Sequence, residues 1–525
     1  YLELFAMRPF VDRLAAQLSG GMKQKLALAC ALVPEPKVLL LDEPTTGVDP
    51  VSRREFWDAL TRLAIEGLTI LIATPYLDEA ERCNRVALMH LGEIKELQTP
   101  DGLRQGLHAK RLEVRPSDLR AAQSALSGVE KDGVVDVQRF GDHFDVLARD
   151  DRVDEVKREV EAGLLAAGVT VEEVRVDQPT LENVFVASLR ASGQDTMESP
   201  FPARRDHHVL RGKVAIGATD LDKQFGSFVA VDGVNLDVRY GEIYGLLGAN
   251  GAGKTTTIKM LCGLLDPSDG SVQLAGATGG RRRDVAVRQQ VGYMSQKFSL
   301  YDDLSIDENL DFFAGVYGVP AAERAEKIAW VLEFSGLQGK EKEVTGRLPG
   351  GWKQRVAFGS SIMHEPSVLF LDEPTSGVDP IARRAFWRVI VGLADAGAAV
   401  LVTTHYLEEA EQCNRLGFMA GGKLVLEGSP GEIKAREPGH LLEFRTDKPQ
   451  RAADLLQAGG QRWRVSVFGD RVHLVVDDVA AGLESTTQRL LANGVAVHDA
   501  REIPFSLEDV FIQAVERVRA PQEVA

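Results

Sequence analysis

The sequence contains few cysteines and no long apolar run, and each shortage excludes a class of protein. The four cysteines, Cys30, Cys83, Cys262 and Cys413, are scattered among 525 residues. They show no metal-ligand spacing, and their small number fits a reducing cytosol rather than a secreted domain held by disulfides. No apolar stretch approaches the roughly 18 residues that are needed to span a bilayer. We therefore expect any role at a membrane to depend on a partner.

Basic residues are fewer than acidic ones, which bears on the partners of the chain. The 61 Lys and Arg residues stand against 77 Asp and Glu, so the net charge is −16. Broad nucleic-acid binding needs a basic surface that displaces counterions, so no nucleic-acid partner is expected. The apolar fraction of 44% and the charged fraction of 26% are ordinary for folded proteins. The length predicts about three to five domains.

An internal repeat covers much of the chain. LSGGMKQKLALA at 18–29 matches LPGGWKQRVAFG at 348–359, and VLLLDEPTTGVDP at 38–50 matches VLFLDEPTSGVDP at 368–380. Both pairs are 330 positions apart (18 against 348). A match without gaps over this span indicates one module that is used twice.

A weaker repeat follows each module. PTLENVFVASL at 179–189 resembles FSLEDVFIQAV at 505–515, now 326 positions apart (179 against 505). Runs such as VSVFGDRVHLVV at 465–476 have the pattern of β-strands, whereas AAGLESTTQRLLANG has the pattern of a helix. Each module is therefore expected to carry a small α+β tail.

The offset also predicts the domain boundaries. Tyr1 corresponds to Val331, so we expect the first module to lack an equivalent of about 213–330, as a fragment of a longer protein would. The segment 191–212 is rich in Ser, Pro and charge and predicts a linker. The predicted segments are 1–100 (C-terminal part of the first module), 101–190 (its tail), 191–212 (linker), 213–433 (complete second module) and 434–525 (second tail).

A phosphate-binding loop is predicted in EIYGLLGANGAGKTTTIKMLCGLL at 242–265. It contains G-x-x-x-x-G-K-T at Gly248, Gly253, Lys254 and Thr255, between a strand-like run and a helical run. The glycines let backbone N–H groups converge on phosphate at the positive end of a helix. Lys254 would then reach the β- and γ-phosphates, and the Thr255 hydroxyl would help to hold Mg²⁺.

Two carboxylates follow the apolar run VLFLDEP at 368–374, which suits a parallel strand covered on both faces. Asp372 would hold Mg²⁺ through water, and Glu373 would orient and polarise an attacking water. The alternative is a solvated strand end without chemistry.

Taken together, LSGGMKQ, LDEPTTGVDP, the phosphate loop and the Thr-Thr-His that ends at His405 resemble the nucleotide-binding domains of ABC transporters over nearly the whole chain. GLLGANGAGKTT, GVDP and the LEDVF tails are similar to the ATPases of ABC-2 type exporters. The fused pair, with QKFSLYDDLSIDENL at 296–310, is similar to the tandem ATPase subunit of bacterial multidrug exporters.

This resemblance implies an α/β fold of P-loop NTPase (ABC ATPase) modules in tandem, each followed by an α+β tail. It also implies an ATPase that uses ATP and Mg²⁺ and lies on the inner face of the cell membrane, beside a separate transmembrane permease. The segment 296–310 would form part of the groove for the permease, or else an ordinary surface loop.

The resemblance further implies a head-to-tail dimer of modules. Each ATP would be held between the phosphate loop of one module and the signature loop of the other, which is LSGGMKQ at 18–24 in the first module and LPGGWKQ at 348–354 in the second. Phe225 would stack on adenine unless it is a core residue, and His405 would contact the γ-phosphate unless it is structural. Ser19 would open a helix over 22–33 towards the γ-phosphate, or would be a plain helix cap. The implied ATP-binding residues are Phe225, Gly248, Ala249, Asn250, Gly251, Ala252, Gly253, Lys254, Thr255, Thr256, Ser19, Gly20, Gly21 and Gln24. The implied catalytic residues are Lys254, Gln296, Glu373 and His405, and the implied metal ligands are Thr255, Gln296 and Asp372.

The two composite sites differ. Pro75 stands where the second module has His405, and Pro349 replaces the signature serine. Proline offers neither a side-chain donor nor a backbone N–H. Both losses fall in the site that would use Glu43, so our hypothesis is that this site binds ATP but turns over slowly. The alternative is that a water or a neighbouring residue substitutes.

A rival function remains at this point, namely a tandem ABC ATPase without a permease that acts on ribosomes. The acidic charge and the paired LEDVF tails favour the exporter. Drug efflux is implied by the family resemblance alone.

Overall fold

The structure is a computed structural model that describes residues 1–5, 7–126, 133–191, 201–202, 205, 207–296, 300–458, 464–468 and 471–519. Most of the predicted linker, and residues 297–299 of the predicted permease groove, lie outside the described residues. The chain forms two compact units, one of Tyr1–Gln194 with Gly431–Ala525 and one of Asp195–Pro430.

Secondary structure follows the repeat. The first part of the chain contains α1 (Gly20–Leu32), β1 (Val38–Asp42), α2 (Pro50–Ile65), β2 (Thr69–Ala73), α3 (Leu77–Ala80), β3 (Val86–His90), β4 (Glu93–Gln98), α4 (Pro100–Gly106), β5 (Ala109–Pro116), α5 (Leu119–Leu126), β6 (Val134–Arg139), β7 (Phe144–Arg149), α6 (Val153–Ala166), β8 (Val171–Asp177) and α7 (Leu181–Ala191). The second module contains β9 (Val214–Phe225), β10 (Phe228–Arg239), β11 (Ile243–Gly248), α8 (Lys254–Leu261), β12 (Asp269–Leu274), β13 (Ala277–Thr278), α9 (Val285–Arg288), β14 (Val291–Met294), α10 (Ile306–Val316), α11 (Ala321–Ser335), α12 (Gly350–Ile362), β15 (Val368–Asp372), α13 (Pro380–Asp395), β16 (Ala399–Thr403), α14 (Leu407–Ala410), β17 (Arg415–Ala420) and β18 (Lys423–Gly428). The last part contains α15 (Pro430–Ala435), β19 (His440–Thr446), α16 (Pro449–Gln457), β20 (Val465–Phe468), β21 (Arg471–Val476), α17 (Val479–Ala492), β22 (Val497–Ile503) and α18 (Leu507–Arg519).

The second module is built on a six-stranded sheet in the order β14-β15-β16-β11-β17-β18. Its strands are parallel except β18, which runs antiparallel to β17. Strands β11, β15 and β16 are buried along their whole length, as their continuous apolar sequences require. This strand order brings the carboxyl ends of β15, β16 and β11 to one edge, where α/β sheets bind ligands.

The described part of the first module repeats only some of this sheet. Its strands β1 and β2 pair in parallel in the same register as β15 and β16. Leu40 and Leu71 are 70% and 66% exposed, whereas their counterparts Phe370 and Leu401 are fully buried. The difference arises because β14 and β11 flank the strand pair in the second module.

Each tail is a four-stranded antiparallel sheet with two helices, in the orders β6-β7-β5-β8 and β20-β21-β19-β22. The chain order is βαββαβ, which with this strand order is a ferredoxin-like arrangement. Helices α7 and α18, which contain the LENVF and LEDVF motifs, follow these sheets. The predicted fold class, P-loop modules with α+β tails, is confirmed.

The second tail packs on the first module, although the two are far apart in the sequence. Helix α18 contacts α2, and Arg82 Nη2 lies 2.8 Å from Glu508 Oε1, across 426 residues. Arg471 Nη2 also lies 3.0 Å from Oδ1 of Asp101, which is on α4 where the first module meets its own tail. The first tail makes the related contact, since Asp142 accepts a 2.9 Å hydrogen bond from the backbone N–H of Gly431, the counterpart of Asp101.

Candidate functional site

The phosphate loop joins β11 to α8 at the carboxyl edge of the sheet. Gly253 caps α8 with a φ of 103°, in the left-handed region that favours glycine. A Cβ at Gly253 would lie 2.5 Å from the carbonyl oxygen of Ala230, so a side chain is excluded on both grounds. The buried Lys254 ammonium donates to the carbonyls of Gly248 and Ala249 at 2.6 and 3.2 Å, along the inside of the loop.

Asp372 ends β15 beside this loop. Its Oδ2 accepts a 3.1 Å hydrogen bond from the Thr255 hydroxyl, and its Oδ1 accepts a 2.6 Å bond from the Thr403 hydroxyl. Burial, together with the charge of Glu373, raises the pKa of Asp372 against the lowering effect of the Thr403 hydrogen bond. A carboxylate and a hydroxyl side by side are oxygen ligands of the kind that Mg²⁺ prefers, so these residues fit the metal that the family implies.

Glu373 is the centre of a second set of contacts. Its Oε2 accepts a 2.8 Å hydrogen bond from Gln296 Nε2, and its Oε1 lies 2.6 Å from Nε2 of the buried His405. Burial by itself would raise the pKa of Glu373, but the contact with His405, the charge of Lys254 and the Gln296 hydrogen bond outweigh it and lower the pKa. Glu373 is therefore held ionised in a mostly buried position.

The geometry thus brings five of the predicted catalytic and metal-binding side chains of the second module into two adjacent contacting groups. Thr255 touches Asp372, while Gln296 and His405 both touch the adjacent Glu373. Ala249, Asn250, Gly251 and Ala252 lie on the β11–α8 connection, as the motif predicted, and Thr256 lies in the first turn of α8.

Phe225 lies at the end of β9, and its side chain is 50% exposed. The alternative of a core phenylalanine is therefore wrong. The Lys223 ammonium lies 5.3 Å from the centre of its ring, and exposed aromatic rings of this kind can stack on flat ligands.

The signature loop of the first module opens α1, which begins at Gly20 and not at the predicted residue 22. The helix starts earlier because Ser19 caps it, its hydroxyl accepting a 3.3 Å hydrogen bond from the backbone N–H of Met22. In the second module Pro349 occupies the cap position and makes no side-chain hydrogen bond. Gly20 is exposed, Gly21 is buried, and Gln24 is half-buried.

The counterparts in the first module are arranged differently. Glu43 has the same left-handed backbone as Glu373, with φ values of 43° and 53°, but it is exposed. Its Oε2 accepts a 3.0 Å hydrogen bond from Thr46, and Pro75 supplies no donor where His405 stands in the second module.

Two residues of the site were missed by sequence reasoning. The Thr403 hydroxyl binds Asp372, and buried Gln354 donates a 3.0 Å hydrogen bond to the backbone carbonyl of Glu373. The repeat held one signal, since the counterpart of Thr403 is Ala73, which has no hydroxyl. Gln354 carried no such signal, because the signature motif has glutamine in both copies.

Among the described residues, a second group of metal-ligating side chains lies in the first tail, where Glu113, His143 and Asp145 come within 4.8 Å of one another. Glu113 accepts hydrogen bonds from Arg115 and Arg175 at 2.8 and 2.7 Å. Although burial opposes it, the charges of His143 and these arginines lower the pKa of Glu113 to about 2. Guanidinium groups thus take up the hydrogen-bonding positions of the Glu113 carboxylate. The cluster of Glu113, His143 and Asp145 is therefore part of an ion-pair network rather than a metal site.

In the part of the chain that the structure describes, no helix combines the length and the apolar character that crossing a membrane requires.

Comparisons with known proteins agree with this geometry. The family described as ABC transporter matches residues 1–46 and 231–376. The probable multidrug ABC transporter ATP-binding protein YbhF of Escherichia coli (strain K12) is 44% identical over 442 residues, which is 83% of this chain and 74% of that protein. Nod factor export ATP-binding protein I of Burkholderia orbicola (strain AU 1054) is 37% identical over 300 residues, 57% of this chain and 96% of that protein.

Among solved structures, an ATP-binding subunit of an ABC transporter is 27% identical, with a TM-score of 0.40, and covers 42% of this chain and 92% of its own. With the phosphate loop, the paired carboxylates and the extended sequence identity in hand, the chain belongs to the ATP-binding proteins of the ABC transporter family and is an ATPase.

Proposed function

We propose that this chain is the ATP-hydrolysing subunit of an ABC-2 type exporter, which powers efflux through a separate transmembrane permease. The names of the two relatives support export, one as a probable multidrug transporter protein and one as a Nod factor export protein. Drugs are the proposed cargo class by this likeness. The chain would then lie against the inner face of the cell membrane through its permease, with the domain boundaries given above.

The observation that carries the catalytic part is the contact of Glu373 with both Gln296 and His405, next to the Thr255–Asp372 pair. Lys254 and the loop N–H groups bind the β- and γ-phosphates, and Phe225 stacks on adenine. Thr255, Asp372 and Gln296 would hold Mg²⁺, which would neutralise charge on the phosphates. Glu373, held ionised, orients the attacking water and polarises it, while His405 donates towards the γ-phosphate. Ser19, Gly20, Gly21 and Gln24 contribute from the signature loop of the first module.

We propose further that only the site built on the second phosphate loop turns over rapidly. Three replacements affect the other site, namely Pro75 for His405, Ala73 for Thr403 and Pro349 for the signature serine. Each removes a hydrogen-bond donor, and loss of one transition-state donor typically costs about 10²–10³-fold in rate. The other site then binds ATP but turns it over slowly.

The asymmetry is tested with two matched substitutions. Glu373→Gln is expected to lower kcat for ATP hydrolysis by about 10²–10⁴-fold, because the general base is lost. Glu43→Gln, at the equivalent position of the first module, should leave most of the activity. Equal loss of activity in both variants would refute the asymmetry, and full activity of Glu373→Gln would refute the assignment of the catalytic site.

The export function is tested by co-purification. The full chain with Glu373→Gln would be extracted from detergent-solubilised cells in ATP and Mg²⁺, and the proteins that accompany it identified. A multi-span membrane protein is the expected result, and its cargo can then be sought. Ribosomal proteins without such a permease would overturn the exporter and favour the translation ATPase instead.

A further inference from the structure

A buried carboxylate that the mechanism above does not use lies behind the catalytic loops of the second module. Glu409 is on α14, and its side chain is 2% exposed. Its Oε2 accepts a 2.7 Å hydrogen bond from the Thr404 hydroxyl, and its Oε1 accepts one from the Thr375 hydroxyl. The guanidinium Nε of Arg383, on α13, lies 3.3 Å from Oε1.

These contacts connect the two loops that carry the catalytic pair. Thr375 is two residues after Glu373, and Thr404 directly precedes His405. The Thr404 hydroxyl also accepts a 2.9 Å hydrogen bond from the backbone N–H of Tyr406, so both neighbours of His405 are fixed. The one carboxylate of Glu409 therefore holds the loop after β15 and the loop after β16 together.

The cost of burying this carboxylate indicates that the link has a use. A carboxyl group taken from water into a protein interior needs partners that replace the hydrogen bonds it loses. Thr375 and Thr404 are 1% and 2% exposed, and Arg383 is 6% exposed, so the whole group is buried. Its hydrogen bonds are therefore shielded from competing water.

The first module contains the same group. Glu79 accepts from Thr45 and, at 2.8 Å, from the Thr74 hydroxyl, and Arg53 Nε lies 3.6 Å from its Oε1. Glu79 is 1% exposed. There, however, the residue between Thr74 and Tyr76 is Pro75, so the same device holds a loop with no catalytic histidine.

We propose that Glu409 is a positioning residue for ATP hydrolysis, which sets the distance between His405 and Glu373 by tying Thr404 to Thr375. This inference rests on the proposed function, because it assumes that Glu373 and His405 act on ATP in the second module. Loss of the tie lets the two loops separate, and displacement of a catalytic group by about 1 Å costs about 10²-fold in rate.

The repeat supplies a matched control for the experiment. In the full chain, Glu409→Gln and Glu79→Gln make the same substitution at equivalent buried positions, each beside two threonine hydroxyls and an arginine, so their effects on the thermal unfolding temperature should be similar. Glu409→Gln is expected to lower kcat for ATP by about tenfold to a hundredfold, with KM nearly unchanged, because the Glu409 side chain is only 2% exposed and offers almost no surface to a ligand. Glu79→Gln is expected to retain most of the wild-type kcat. Equal losses in the two variants, in step with their unfolding temperatures, would show that Glu409 is only structural and would overturn the inference.

A second pair of variants keeps the inference testable if Glu409→Gln does not fold. Thr404→Val removes only the hydroxyl and should lower kcat, whereas Thr404→Ser keeps the hydroxyl and should restore it. The control, Thr74→Val in the first module, should remain active. Activity of Thr404→Val equal to that of the wild type would refute the tie.

Assaying Glu373→Gln and Glu43→Gln alongside Glu409→Gln distinguishes failure of the Glu409 inference from failure of the proposed function. If Glu373→Gln stays active, the catalytic site has been wrongly assigned, whatever Glu409→Gln does. If Glu43→Gln and Glu373→Gln are both inactive, the asymmetry fails. The Glu409 inference then depends on two results: a lower kcat with an unchanged KM in Glu409→Gln, and a higher activity of Thr404→Ser than of Thr404→Val. If only Glu373→Gln is inactive and Glu409→Gln is fully active, the positioning role alone is refuted.

Discussion

The ion pair between Arg82 and Glu508 gives a quantitative prediction for the contact of the second tail with the first module. The Arg82 side chain is 7% exposed and that of Glu508 is 21% exposed, and their closest atoms are 2.8 Å apart. Breaking a fully buried pair costs about 3–5 kcal/mol, whereas an exposed pair contributes about 0–1 kcal/mol. We therefore expect Glu508→Ala to weaken the docking of α18 by about 2 kcal/mol.

Hydrogen exchange of the backbone amides in α18 measures this docking locally, which avoids the assumption that a multi-unit chain unfolds in one step. Since every 1.4 kcal/mol is tenfold in an equilibrium constant, about 2 kcal/mol corresponds to exchange roughly 30-fold faster. Arg82→Ala should give a similar result, and the double variant should be little worse than either single one. Lys95→Ala, which removes the exposed contact of Lys95 with Glu93, should leave α18 unchanged.

Charge reversal tests the same reasoning from the other direction. Glu508→Arg places two guanidinium groups together and should speed exchange of α18 further, and the combined change with Arg82→Glu should restore protection. Independent sites add within about 0.3–0.5 kcal/mol. Single-variant effects that simply add, or a swap that restores nothing, would refute the pair as the contact that holds the tail.

Three further predictions concern the second module. Burial raises the pKa of Glu373 and the contact with His405 lowers it, so in His405→Gln this pKa should rise. Ionised Glu373 contributes stability that is present above its unfolded-state pKa and is lost as the pH falls through its folded-state pKa, so in the variant this stability should be lost at a higher pH in urea unfolding. An unchanged acid limb would contradict this. Burial raises the pKa of Cys262 to about 11, so little of this thiol is ionised near pH 7.5. Alkylation at that pH should therefore label the exposed Cys30 before Cys262. Mass spectrometry that finds Cys262 labelled first would disprove the prediction. Gly292→Ala places a Cβ 2.4 Å from a carbonyl oxygen in α12. This overpacking should cost about 1–3 kcal/mol of stability and lower the unfolding temperature by several degrees. An unchanged unfolding temperature would contradict the prediction and mean that α12 moves aside freely.

Much of the candidate site could be predicted because its signals are local. The phosphate loop lies within residues 248–256, with β11 at its start and α8 at its end. The buried β15 likewise follows from a continuous apolar run. The start of α1 was placed two residues late, because glycine lowers the expected helix content although Ser19 caps the helix at Gly20.

Other contacts of the site depend on strand order and could not be predicted. Thr403 reaches Asp372 because β16 pairs with β15 in a register that sets these two residues side by side. Gln354 reaches the Glu373 carbonyl from α12, a helix whose sequence has no marker for that contact. The sharing of Glu409 between two loops depends in the same way on the packing of α14.

The amino-acid sequence by itself determined the repeat, the nucleotide-binding motifs, the family and the difference between Pro75 and His405. These depend on residue type and spacing along the chain, which carry the chemistry of phosphate binding directly. Only the tertiary structure decided that Glu373 contacts both Gln296 and His405, because these residues are far apart in the chain and meet only through the order of the strands that carry them. It also decided that α18 docks on the first module, since a contact across 426 residues arises from packing in space and leaves no periodic signal in the chain.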